Sequence, residues 1–205
     1  IEHYIPPYRL GDMVRYEKFR TKDFKYHKKH YPMSIATEYM KKTNKNNDLN
    51  TLEKIMEKKT NLTHVKYKDY IIVHLRTGDV IDDAKESVKD FLNNTVMWRH
   101  TSYVKPLSYY KKIVNKMKTD TNIKDVLIIT GFHRENQKTT KSIEYFNKIK
   151  EFFENNGYKV SLRTNQDPDD DFIIMCNSKY FVKSGGGYSG LVSKIVKKRG
   201  NIVYE

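Results

Sequence analysis

The sequence predicts an α/β fold, a parallel sheet with helices packed on both faces, and three observations predict it. Apolar runs such as "DYIIVHLR" and "KDVLIITGF" are continuous and rich in β-branched residues, as buried parallel strands are. Between them lie stretches with apolar residues at three- and four-residue spacing, the mark of amphipathic helices. From residue 70 to the end the two kinds alternate, strand then helix, which is the order a parallel sheet requires.

The first thirty residues, with "YIPPYRLGDMV" and the aromatic and basic "RYEKFRTKDFKYHKKHYP", carry no clear periodicity. "MSIATEYMKKTNKNNDLNTLEKIMEKKTN" reads as two helices separated by a polar break over 44–50. The first strand, "DYIIVHLR", follows. "PLSYYKKIVNKMKT" places Leu107, Tyr110, Ile113, Val114 and Met117 on one helical face, opened by Pro106. "KDVLIITGF" is the second strand. "SIEYFNKIKEFFENNG" is a helix stopped by Asn155, Asn156 and Gly157, and "YKVSLR" is the third strand. A short helix over "DDDFIIMCNS", a strand "KYFVKS", a helix "YSGLVSKIVKKRG" ending at Gly200 and a last strand "NIVYE" complete the chain.

At 205 residues the chain can bury a real core. A net charge of +14 favours anionic partners, among them nucleotides, nucleotide-sugars, nucleic acids and acidic membranes. Sixteen Tyr and nine Phe separate it from a disordered polycation. The single Cys176 excludes an internal disulfide framework and a cysteine-rich zinc site. No run reaches membrane-spanning length, and the expected location is the cytoplasm or the cytosolic face of a membrane, with peripheral contact to anionic lipid.

Ligands of such sheets bind outside the carboxyl ends of the strands, where loop amides and helix N-termini converge. Two strand ends stand out. In His74-Leu75-Arg76-Thr77-Gly78-Asp79, Arg76 offers a planar fork for phosphate oxygens, Gly78 permits a tight turn, and Asp79 can hold the Arg or the turn amides. A purely structural Arg76–Asp79 pair is the competing reading. The second end, "VKSGGGYSG", puts Ser184, Gly185, Gly186, Gly187, Tyr188 and Ser189 between a strand and its helix. Its amides and the helix start form an anion site without a dedicated cation, unless the glycines serve only backbone angles.

Other motifs fit less well. Gly185 to Gly190 satisfies G-x-G-x-x-G, but that fingerprint opens a dinucleotide fold and here it closes one; Leu191 stands where a P-loop needs Lys. The D-x-D spacing in Asp167-Pro168-Asp169-Asp170-Asp171 precedes an apolar segment, which predicts a polar turn and helix N-terminus in place of a metal site. His27-Lys28-Lys29-His30 lies among cations that repel a metal.

"VHLRTGD" resembles the H-x-R-x-G-D motif of the fucosyltransferase superfamily that includes the α1,2-, α1,6- and protein O-fucosyltransferases. "DDDFIIMCNSKYFVKSGGGYSGLVSKIV" is similar to that superfamily's last donor-binding motif, "SYVKPLSYYKKIV" and "DVLIITGF" look like the helix and strand between, and "YRLGDMV" is loosely similar to its Gly-Leu-Gly-Asn turn. The resemblance covers residues 66–205. It implies a GT-B, Rossmann-like fold, with 66–205 as the nucleotide-sugar donor-binding domain and 1–65 as a reduced, acceptor-side subdomain. It implies inverting, metal-independent transfer of a sugar, fucose from GDP-fucose in the family, to a glycan acceptor. No cofactor is implied beyond the nucleotide-sugar co-substrate.

Carried over, Arg76 and Asp79 are the catalytic pair, Arg76 on the donor diphosphate and Asp79 bracing the loop. His74 contacts the donor or supports Arg76, Gly78 makes the turn, Asp171 stands at the nucleotide base, and Ser184 to Ser189 lie at the diphosphate. This loop is glycine where the family's is Ser/Thr-rich, so backbone amides replace hydroxyls. Trp98, Arg99, His100 and Tyr103 are candidates for the acceptor mouth, or for packing. Two other classes stay open. Lys-rich segments with interleaved aromatics, "YHKKHY" and "KKRGN", fit a nucleic-acid-binding protein, and the Gly loop fits a dinucleotide-binding enzyme.

Overall fold

The computed structural model describes residues 34–43, 48–59, 62–96, 102–131 and 140–205. "YRLGDMV", the His27–His30 segment and Trp98, Arg99 and His100 lie outside the described residues. Helices α1 (Ser34–Lys42) and α2 (Leu49–Lys59) and a 3-10 turn (Leu62–Tyr67) precede strand β1 (Ile71–His74). A helical turn α3 (Asp79–Asp82), α4 (Val88–Asn93) and α5 (Leu107–Asp120) lead to β2 (Asp125–Thr130). Then follow α6 (Thr140–Asn155), β3 (Lys159–Thr164), α7 (Pro168–Cys176), β4 (Tyr180–Val182), α8 (Gly186–Lys198) and β5 (Ile202–Tyr204).

The five strands form one all-parallel sheet in the order β3-β2-β1-β4-β5. The chain is therefore α/β with a Rossmann-like arrangement, as the alternation predicts. Strands are added in one direction from β1 to β3, after which the chain returns to the other side of β1 and adds β4 and β5. With crossovers of one hand, that reversal moves the connecting helices to the opposite face. The buried side chains follow: α5 and α6 pack with Ile71, Val73, Val126 and Ile128 on one face, α7 and α8 with Ile72, Leu127, Ile129 and Phe181 on the other. Alternation along each strand divides its residues between the two layers.

The stripe on α5 behaves as its spacing predicts, with Tyr110, Ile113, Val114 and Met117 buried. Gly157, at φ 86°, ends α6 in a left-handed turn closed by the Gly157 N–H donating to the Glu154 carbonyl at 2.9 Å. Ile35, Ala36, Tyr39, Leu52, Ile55 and Met56 of α1 and α2 join the layer formed by α7 and α8. Asp169 fixes their position: its carboxylate accepts from the Ser34 N–H at 2.7 Å, capping α1 from the start of α7. The periodicity leaves 79–93 unassigned. Its short helix α4 is set by a capping box in which Ser87 and Asp90 bond reciprocally. No described helix is long and apolar enough to cross a membrane.

Candidate functional site

The order reverses between β1 and β4, so the carboxyl ends of these two strands flank the crevice where sheets of this type bind ligands. These are the same two ends that the sequence singles out. β1 is buried along its length and takes β2 and β4 as neighbours. Its ladder continues one residue past His74, the Leu75 N–H donating to the Ile129 carbonyl at 3.0 Å. Beyond that the chain turns, and Gly78 holds φ 78° and ψ −137°, a conformation that a side chain would strain.

Arg76, 8% exposed, is held from two sides. One of its Nη2–H groups donates to Asp79 Oδ1 at 2.6 Å, and an Nη1–H to the Thr77 carbonyl at 3.0 Å. Asp79 thus braces the guanidinium, one of the two roles read from the motif. The turn is anchored to its neighbours. Thr77 Oγ1 lies 2.7 Å from Thr130 Oγ1 at the end of β2, and the Gly78 N–H donates to Ser142 Oγ on α6 at 2.8 Å.

At the second end, Ser184 leaves β4 and its Oγ lies 2.6 Å from His74 Nδ1. The Ser184 N–H donates to Ser189 Oγ at 3.0 Å, so the fully buried Ser189 closes the loop from within α8. The Tyr188 ring meets the His74 ring edge-on with centroids 5.6 Å apart, and its hydroxyl donates to the Pro168 carbonyl at 3.1 Å. His74, Ser184, Tyr188 and Ser189 are therefore brought together.

The three glycines divide their work differently from a uniform cradle of amides. The Gly185 N–H donates to the Tyr103 carbonyl at 3.0 Å. A Cβ on Gly185 would lie 1.9 Å from the Ser102 carbonyl oxygen and 2.3 Å from Tyr103 Cα. Glycine is thus required there by the close approach of another backbone segment, and that amide is already committed. Gly186, at φ 89°, supplies the left-handed angle that starts α8, and Gly187 lies in its first turn. The positive end of α8 therefore begins two residues after Ser184, at Gly186 and Gly187 in place of the full run from Gly185, with the Tyr103 ring lying against Gly186.

Asp171 meets a partner that the sequence reading does not supply. Arg163 on β3 lies opposite Ile129, which lies opposite His74, so the three form one row across the sheet. The Arg163 Nε–H donates to Asp171 Oδ1 at 2.5 Å. Burial pushes the Asp171 carboxyl up to about 6 against the pull of Arg163, with Asp167 and Asp170 pushing the same way as burial. Asp167 is occupied as the cap of α7, accepting from the N–H groups of Asp169 at 2.8 Å and Asp170 at 3.1 Å. Among the described residues no three His, Cys, Asp or Glu side chains gather as a metal-binding set.

Sequence reasoning passes over Arg163, Thr130 and Ser142. Arg163 carries a local signal, a cation closing a strand, whereas Ser142 and Thr130 act on the turn from 64 and 53 residues away. Compared with known protein families and with curated proteins, the chain matches none.

Proposed function

We propose that the chain binds a nucleotide-sugar in the crevice between β1 and β4 and transfers the sugar to a glycan acceptor, in a fucosyltransferase-like reaction. The observation that carries this reading is the His74–Ser184 bond, which ties the two motif-bearing strand ends together at the point where the strand order reverses. A nearly buried cation, Arg76, follows His74 by two residues, and the N-terminus of α8 follows Ser184 by two. Charge develops on the departing nucleoside diphosphate as its bond to the anomeric carbon breaks and the acceptor hydroxyl oxygen attacks from the opposite side, its proton passing to a base or water on the acceptor side. Arg76 and the Gly186 and Gly187 amides are the groups that stabilise it. Asp79 keeps Arg76 in place through its ion pair, and Asp171 with Arg163 forms the polar wall at the base.

GDP-fucose is the donor that the motif resemblance favours. Calorimetric titration of the wild type and Arg76→Ala with GDP, UDP and their sugars, with chelator present, tests the reading. Saturable binding of one nucleotide, weakened at least ~tenfold by Arg76→Ala, is expected from the loss of a charge-assisted contact. A folded wild type that binds none of them overturns the proposal.

A further inference from the structure

The Arg76 turn is held by a network that reaches well beyond its motif. The Gly78 N–H donates to Ser142 Oγ at 2.8 Å, and the Ser142 hydroxyl donates onward to Asp82 Oδ2 at 2.6 Å. The Ser142 N–H donates to Asp82 Oδ1 at 2.9 Å, and the Asp82 N–H returns to the Gly78 carbonyl, also at 2.9 Å. The ring of bonds is closed: Ser142 uses its one hydroxyl proton and one lone pair, and Asp82 uses both carboxylate oxygens. Ser142 is fully buried at the start of α6, so water does not compete for its hydroxyl, while the half-buried Asp82 closes the network from its outer side. On the other side of the turn, the Thr130 hydroxyl lies against Thr77 and donates to the Leu75 carbonyl at 3.1 Å.

From this closed network we infer that Ser142 and Asp82 are positioning residues for the Arg76 anion site. Gly78 has a backbone conformation that does not hold itself, because glycine has the widest choice of angles of any residue. Ser142 selects one of them by accepting from the Gly78 amide, and Asp82 fixes Ser142 by accepting hydrogen bonds from its hydroxyl and its N–H. The Asp79 carboxylate, one residue on, is thereby kept at the distance from which it braces the guanidinium. Arg76 therefore meets an anion in a set orientation, without first ordering its own turn.

The inference rests on the proposed nucleotide site, and its test separates the two. Nucleoside diphosphate affinity is measured by calorimetry for the wild type, Ser142→Ala and Asp82→Asn, each alone and combined with Arg76→Lys, in protein verified as folded by circular dichroism. Each substitution is expected to weaken binding roughly tenfold in the Arg76 background, the scale of one buried hydrogen bond left unmade. In the Arg76→Lys background that loss should shrink toward nothing, since a residue acting through Arg76 has nothing left to orient. A general structural loss would be equally large in both backgrounds.

Wild-type affinity in Ser142→Ala, or a loss undiminished by Arg76→Lys, overturns the inference while Arg76-dependent binding keeps the nucleotide site. Failure of the wild type to bind any nucleoside diphosphate overturns both. If Ser142→Ala does not fold, Asp82→Asn carries the same comparison, because Asp82 is half-buried and its substitution conserves shape. Hydrogen exchange on the wild type adds a check free of substitution: the Gly78 amide should exchange among the slow amides, and exchange at the rate of an open loop overturns the network.

Discussion

Ser184 Oγ and His74 Nδ1 lie 2.6 Å apart and 110 residues apart in the chain. The contact joins the only two strand ends that flank the reversal of strand order among those described, and both groups are buried. Ser184→Ala leaves the ring nitrogen without this partner. A loss of stability of about 1–3 kcal/mol is expected, the cost of a buried polar group stripped of its bond. Equilibrium urea denaturation measures it, and a change below about 0.5 kcal/mol, the scale of an ordinary surface substitution, would show the bond to be incidental.

The glycines of the loop should respond to alanine in opposite senses. At Gly185 the added methyl meets the Ser102 carbonyl oxygen at 1.9 Å and Tyr103 Cα at 2.3 Å, both backbone, so one segment must move. At Gly190, inside α8, a Cβ finds nothing within 4 Å. Gly185→Ala is expected to destabilise by roughly 1–3 kcal/mol, as overpacking does. Gly190→Ala should stabilise by about 0.5–1 kcal/mol through helix propensity. Thermal melts of the two variants beside the wild type read the contrast, and equal shifts would contradict it.

Asp171 should titrate near neutrality. Its carboxyl is raised to about 6 by burial, with Arg163 pulling against it. The folded chain therefore binds this proton more tightly than the unfolded chain, whose value stays near 3.8. The proton's contribution to stability is complete below about 4 and is lost as pH rises through about 6. Across that window Asp171→Asn, which does not ionise, should gain stability relative to the wild type, over a constant offset from the altered bond to Arg163. Denaturation at pH 4 and pH 7 checks the direction, and a carbon-13 titration of the carboxyl checks the midpoint; a midpoint below 4 would mean that Arg163 outweighs burial.

The fold was legible because each element carries its own local pattern. Ile71 to Val73 is an unbroken apolar run, and Tyr110, Ile113, Val114 and Met117 recur at helical spacing, so neither needs a distant partner to be identified. Half of the site was legible for the same reason, since Arg76, Gly78 and Asp79 bond within one turn. What stayed hidden is long-range. The constraint on Gly185 comes from Ser102 and Tyr103, and the anchor of Gly78 comes from Ser142. Chain entropy separates such pairs in sequence and only the completed packing brings them together. Ser87 and Asp90 are the exception: their capping box is a local signal, but α4 is too short for periodicity to register.

The order of the strands has a consequence for synthesis. A ribosome that has released the chain only as far as Thr164 has supplied β1, β2 and β3, but neither β4 nor Ser184. Such a nascent chain has one flank of β1 bare and half of the crevice still unmade, and it exposes an open strand edge. The crevice becomes whole only once β4, Ser184 and the start of α8 have emerged. Under the proposed reading, a nucleotide would favour only chains in which β4 and the start of α8 have already joined β1.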